Sequence, residues 1–271
     1  MMTTPDTDRW LRRVNPNSQA RLRCFCLPYS GGNARLFQAW GQHLPTCVEV
    51  CALELPGHGA RLTEPPLDNV DEMLRAIAQV IQPLCDRPFV LFGHSMGALI
   101  GFELARYCRR HGLPMPAHLY VSGHRAPQLP DPEPPVHTLP EAAFREKLTR
   151  LQGTDPAVLA NDEFMALLLP VLRADFALCE TYTYVAEPPL PCPITAFGGT
   201  RDPATQRGKL RAWRSQTQAK FTQHVLPGNH FFIHAAEASL LHQLSLSLTA
   251  LAEVSPGPQG LSTGHLFGTG D

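Results

Sequence analysis

Along the chain, short unbroken apolar runs alternate with stretches whose apolar residues recur at helical spacing. "RCFCLP" (23–28), "VEVCALEL" (48–55), "FVLF" (89–92), "HLYVSG" (118–123), "PITAFGG" (193–199) and "FTQHVLPG" (221–228) read as strands. Apolar runs without polar alternation are what a parallel sheet covered on both faces requires. Val70, Leu74, Ile77, Ile81 and Leu84 mark a helix over 70–84, with Asp68 as its expected N-cap. Met96 to His111 reads as a second helix, stopped by Gly112. Leu240, Leu241, Leu244, Leu248 and Leu251 mark a C-terminal amphipathic helix. Strand and helix in alternation predict an α/β fold with a mostly parallel central sheet flanked by helices.

One region breaks the alternation. Residues 125–190 open on the Pro-rich "APQLPDPEPPVHTLP" and continue as "PEAAFREKLTRLQG", "DPAVLA" and "DEFMALLLPVLRADFALCETYTY", all of helical character. They predict a helical lid inserted into a core made of 20–124 and 191–253. The polar, Pro/Gly-rich ends, 1–19 and 254–271, are expected to be flexible.

The run "FVLFGHSMGALIGFELARY" (89–107) sets a serine between two glycines, after a strand and at the start of a helix. That context is the nucleophile elbow, in which Ser95 stands exposed on a sharp turn while Gly93 and Gly97 let strand and helix approach. A serine hydroxyl needs a base, and in this arrangement the partners follow in the order Ser, acid, His. His230 in "LPGNHFFIH" follows a late strand and is the candidate base, with His234 one helical turn on as the decoy. His224 lies within the strand, and the His94 side chain is expected to point away from that of Ser95. Asp202 in "PITAFGGTRDP" ends the preceding strand, where a carboxylate accepts the ring N–H of His230. Asp162 and Asp175 lie in the insertion and are poorer candidates. The oxyanion hole is expected from the backbone N–H of Met96 and that of Ser30 in "LPYSGGNARLF", with Tyr29 as runner-up. A phosphate cradle at Gly31–Gly32 is disfavoured, since neither G-x-G-x-x-G nor a P-loop lysine is present.

Charge and cysteine content narrow the setting. Among 271 residues, 23 basic and 24 acidic side chains leave a formal net charge of -1. This balance speaks against nucleic acid or an anionic membrane as partner. No secretory h-region and no membrane-length apolar run is visible. The eight cysteines, none in a C-x-x-C pair, read as reduced core thiols of a cytoplasmic protein. No metal and no cofactor is called for, and the chain is expected to be monomeric.

At "LPYSGGNARLFQAW", "ALELPGHGARL", "FGHSMGALIGFELAR", "LRADFALCETYTY" and "GGTRDP…LPGNHFF" the chain resembles the type II thioesterases of the α/β-hydrolase superfamily. These are the stand-alone editing enzymes of polyketide and nonribosomal peptide synthesis. The likeness covers about residues 20–252. It departs at Tyr29-Ser30, where the family commonly has His-Ala, and at His58, where Arg is frequent. The resemblance implies hydrolysis of acyl groups held on the phosphopantetheine arm of carrier proteins. It also implies an acyl channel beneath the lid, for which Tyr29, Phe144, Leu148, Leu151, Phe164, Leu168, Leu172 and Phe176 are candidate walls. The other readings to be weighed are an esterase or lipase on free small esters, a medium-chain thioesterase serving a fatty acid synthase, and a binding module on a hydrolase scaffold.

Overall fold

The computed structural model of the chain describes residues 7–254 with the exception of 132, 155 and 207. Its strands are β1 (Leu11–Arg13), β2 (Leu22–Leu27), β3 (Val48–Leu53), β4 (Phe89–His94), β5 (His118–Ser122), β6 (Ile194–Gly199) and β7 (Phe221–Leu226). They form one sheet in the order β1-β3-β2-β4-β5-β6-β7. All neighbours are parallel except β1, which runs antiparallel to β3. The five longest helices among the described residues are α1 (Val70–Ile81), α2 (Met96–Arg110), α3 (Glu141–Leu151), α4 (Asp162–Glu180) and α5 (Glu237–Val254).

The strands explain why their sequences are apolar throughout. Side chains alternate between the two faces of a sheet, and here both faces are covered. Phe25, Leu27 and Leu91 point into a cluster with Ile77 of α1 and Ile100 and Leu104 of α2. Cys24, Cys26, Val90 and Phe92 point the other way, against Leu240, Leu244 and Leu248 of α5. Cys24 and Cys26 share a face, with their sulfurs 3.7 Å apart, and all eight cysteines are unpaired. No helix among the described residues is long and apolar enough to cross a membrane.

Three local expectations are corrected. The cap of α1 is Asn69 rather than Asp68: its Oδ1 accepts from the N–H of Asp71 at 2.9 Å and of Glu72 at 3.2 Å. The helix predicted over 70–84 tightens to a 3₁₀ turn at Gln82–Leu84, where Pro83 cannot supply an α-helical N–H. The described part of the N-terminal stretch is ordered into a turn of helix, Thr7–Trp10, and the edge strand β1. Trp10 and Leu11 are buried in the same cluster as α1, and the Arg61 guanidinium lies 4.1 Å above the Trp10 ring. Two apolar residues in a polar segment sufficed to dock it. The expected flexible tail from 255 onward and residues 1–6 lie outside the described residues.

The segment between β5 and β6 carries α3, a short helix Pro156–Leu159 and α4. It has an apolar cluster of its own, built on Val136, Phe144, Leu148, Met165, Leu169 and Leu172. That separate core makes it a distinct layer above the carboxyl ends of β4, β5 and β6.

Candidate active site

β4 ends at His94 and α2 begins at Met96, so Ser95 alone is the connection. Its φ of 54° and ψ of -117° lie where a residue with a side chain is rarely found. Such a conformation costs on the order of 1–3 kcal/mol and persists only where the surroundings impose it. Here the Ser95 N–H donates to the Ser122 carbonyl at 2.7 Å, and its own carbonyl accepts from Ala98 N–H at 2.9 Å. The flanking glycines are dictated by contact. A Cβ on Gly93 would lie 1.9 Å from the Gly97 carbonyl oxygen, and one on Gly97 would lie 2.3 Å from that of Leu27. The elbow therefore folds only with glycine at both positions.

Two later loops bring their side chains to this point. His230 follows β7 and Asp202 follows β6. The Ser95 hydroxyl donates to His230 Nε2 at 2.9 Å, and His230 Nδ1–H donates to Asp202 Oδ1 at 3.2 Å. A carboxylate only accepts, so it selects the tautomer in which Nε2 is free to take the serine proton. The Asp202 side chain is 1% exposed against 25% for His230. Asp202 Oδ1 also accepts from Ala204 N–H at 3.0 Å, while Oδ2 is buried without a partner. A buried carboxylate so sparsely compensated favours a positive charge beside it, which is what an imidazolium on His230 supplies.

The other histidines have separate tasks. The His94 ring is fully buried. Its Nε2–H donates to the His230 carbonyl at 2.9 Å, and its Nδ1 accepts from the Ser122 hydroxyl at 2.8 Å. Burial, and then the nearness of His230, holds His94 well below the ordinary imidazole value, so it stays neutral and braces the His230 backbone. His234 shares a hydrogen bond of 2.9 Å with the Tyr29 hydroxyl, and His224 stacks on Phe197 at 5.3 Å. Neither reaches Ser95. Asp162 pairs with Arg145 at 2.8 Å on the outside of the insertion.

Ser95, Met96, Ser30, Tyr29 and His230 line one end of a cavity of about 340 Å³ beneath the insertion. Met96 is the first residue of α2, so its N–H has no acceptor within the helix. Ser30 is a central residue of the turn Tyr29–Gly32, closed by Gly32 N–H donating to the Tyr29 carbonyl at 2.8 Å. Ser30 and Met96 thus line the same cavity as the Ser95 hydroxyl, where backbone N–H donors are needed to stabilise a tetrahedral oxyanion.

Residues 23–246 match the thioesterase domain family. The chain belongs to the thioesterase family. It is 44% identical over 234 residues to the gramicidin S biosynthesis protein GrsT of Aneurinibacillus migulanus, a match covering 86% of this chain and 91% of GrsT. RedJ, a thioesterase from the prodiginine biosynthetic pathway in Streptomyces coelicolor, is similar in structure with a TM-score of 0.79 at 41% identity, over 84% of this chain and 90% of that chain. The type II thioesterase BorB from the borrelidin biosynthetic cluster gives a TM-score of 0.81 at 32% identity, over 91% of this chain and 99% of that chain. The fold is the α/β-hydrolase fold, and the protein is a hydrolase of acyl thioesters.

Within the thioesterase, the candidate acyl walls separate into two groups. Tyr29, Leu148, Leu151, Leu172 and Phe176 line the cavity. Phe144, Phe164 and Leu168 do not. Phe144 is fully buried inside the insertion, edge-on to Phe176 at 5.5 Å and beneath the Arg173 guanidinium. Phe164 is 41% exposed. Leu168 packs on the cluster of the insertion itself. Helical spacing shows which residues share a face but not whether that face meets the cavity or the next helix. The far wall holds charged pairs that the sequence pattern did not anticipate: Arg125 with Asp131 at 2.8 Å, Lys147 with Glu133, and Glu180, which binds His137 at 2.6 Å. Asp175, a poorer candidate for the catalytic acid, does not reach His230 but is wholly buried and bonded to the core. Its signal was there in α4, where Val171, Leu172, Asp175 and Leu178 form one buried stripe containing a single acid.

Proposed function

We propose that this thioesterase is a stand-alone type II enzyme that removes aberrant or stalled acyl groups from the phosphopantetheine arm of carrier proteins in polyketide or nonribosomal peptide biosynthesis. The observation that carries the reading is the continuous hydrogen-bond chain Ser95–His230–Asp202 opening onto an apolar cavity. Ser95 Oγ attacks the thioester carbonyl carbon while its proton passes to His230 Nε2. Asp202 accepts from Nδ1–H and stabilises the imidazolium. The N–H groups of Ser30 and Met96 receive the oxyanion, aided by the positive end of α2. Collapse breaks the C–S bond, His230 returns the proton to the pantetheine sulfur, and the acyl group remains on Ser95. A water molecule deprotonated by His230 then attacks the ester, releasing the acid and restoring Ser95. Residues 125–190 serve as the lid that covers the acyl chain. Eight unpaired cysteines support a reducing, cytoplasmic setting.

The test offers one acyl group on a carrier protein and on a soluble pantetheine-like thiol. Carrier docking predicts a kcat/KM higher on the protein by about tenfold or more, equivalent to roughly 1.4 kcal/mol of added contact, with modest selectivity across acyl groups. Equal values on the two thiols, with one acyl chain strongly preferred, would indicate a dedicated small-molecule or fatty acyl hydrolase. Equal turnover of simple oxygen esters would indicate an esterase.

Wall identity gives a second check. Leu148 is buried in the insertion and lines the cavity. Leu148→Trp shortens the space, and each methylene that no longer fits forfeits roughly 0.8 kcal/mol, or about fourfold in kcat/KM. The optimum should therefore move to shorter chains, read from a series of acyl thioesters. An unchanged optimum would place the acyl chain elsewhere.

A further inference from the structure

Asp175 of α4 reaches out of the insertion to two loops of the core. Its Oδ2 accepts from Gly31 N–H at 2.7 Å and from His58 Nε2–H at 2.9 Å, whereas Oδ1 is buried without a partner. Gly31 is the third residue of the turn Tyr29–Gly32, and its φ of 76° is the positive value that a type II turn requires there. Its N–H belongs to the central peptide of that turn. A hydrogen bond at this point fixes the peptide plane between Ser30 and Gly31, while the Gly32 N–H bond to the Tyr29 carbonyl fixes the plane that carries the Ser30 N–H, so the two bonds together hold the turn around Ser30. The approach is close: a Cβ on Gly31 would lie 2.7 Å from Leu172 Cδ2 of α4.

His58 is the partner that this buried carboxyl group has in place of solvent. His58 Nδ1 lies 3.0 Å from the Pro56 carbonyl oxygen, and Nε2 lies 2.9 Å from Asp175. A carbonyl has no proton to give, so Nδ1 carries one, and a proton on Nε2 facing the Asp175 carboxylate makes the ring an imidazolium. The side chains are 2% and 0% exposed. The neighbouring charged groups are otherwise engaged. Glu54 accepts from Ala34 N–H and Ala60 N–H, each at 2.9 Å. Arg61 donates to the Glu54 carbonyl at 3.0 Å and to Glu64. Cys179, one turn along α4, is a thiol pushed above its usual value by burial and by Asp175.

We propose that Asp175 is a positioning residue for the oxyanion-hole loop, with the His58 imidazolium as its counter-charge, so that α4 and the catalytic N–H donors act as one unit. The proposal rests on the reading of Ser30 N–H as an oxyanion donor. It carries a pH consequence. Burial works against a charged His58, but Asp175 outweighs it and holds the ring above its ordinary value. The pair is therefore complete below the unfolded value of about 6.5 and is lost as pH rises through the higher folded value. An alkaline fall in activity follows, from residues that never touch substrate.

The experiment measures kcat and KM for an acyl thioester, and affinity for an alkyl trifluoromethyl ketone, whose adduct on Ser95 places an oxyanion in the hole. Wild type, Asp175→Asn and His58→Arg are compared across pH. Asp175→Asn should lose kcat and ketone affinity together, by about 10- to 100-fold, with KM changed less than about threefold. A fall in kcat with ketone affinity unchanged overturns the proposal. If Asp175→Asn does not fold, His58→Arg decides, because a guanidinium stays charged at every working pH. It should move the alkaline limb upward or abolish it, and a limb identical to that of wild type overturns the proposal. A wild-type enzyme that does not take up the ketone overturns the Ser95 reading itself, and this proposal with it.

Discussion

Ser95→Ala lowers kcat/KM for an acyl thioester by about four to six orders of magnitude while the protein stays folded. The loss is large because, among the described residues, no other hydroxyl is hydrogen-bonded to His230 Nε2. The fold should survive because the Ser95 side chain contributes only that bond, and the positive φ is imposed by the backbone bonds to Ser122 and Ala98 rather than by the hydroxyl. Single-turnover hydrolysis together with thermal unfolding separates the two effects. A fluorophosphonate should add to Ser95 of the wild type, detected by peptide mass, and to no serine of the variant. Undiminished hydrolysis by Ser95→Ala would remove the acyl-enzyme mechanism from consideration.

Asp202→Asn lowers kcat by about 10⁴-fold. The cause is tautomeric rather than steric. Asn is nearly the same size, and the atom at the position of Oδ1 meets both His230 Nδ1 and Ala204 N–H, while that of Oδ2 is buried without a partner. With the amide N–H₂ turned to that position, His230 Nδ1 faces a donor and the ring proton is forced to Nε2, the atom that must accept from Ser95; with the carbonyl oxygen there, both bonds remain but the negative charge is gone. The imidazolium also loses its buried counter-charge. The remaining rate comes from the oxyanion donors, so it should lie well above the uncatalysed reaction. The measurement is kcat at saturating acyl thioester with folding verified. A variant keeping more than about a tenth of wild-type kcat, against the expected 10⁴-fold loss, would assign the orienting role to another carboxylate.

Much of this site was legible in the chain because each part leaves a local mark. Gly93 and Gly97 flank Ser95 since backbone oxygens occupy the space of any Cβ there. Asp202 and His230 stand just after β6 and β7, because side chains that work above a parallel sheet must follow its strands. The buried strands announce themselves as unbroken apolar runs, having a covered surface on each side. What the chain did not reveal depends on groups distant in sequence. Whether Phe144 or Phe176 faces the cavity is settled by how α3 and α4 pack, and both positions satisfy the same helical spacing. Trp10 and Leu11 look like isolated apolar residues in a polar tail until β3 provides an edge and α1 a surface to cover. His58 is held above its ordinary value only because folding brings it to Asp175, a residue 117 positions away. Local sequence determined the elbow turn and the buried strands, where steric fit and hydrogen bonding act within a few residues. The tertiary structure decided which titratable groups share a dry environment, because desolvation and ion pairing depend on neighbours that adjacency along the chain does not specify.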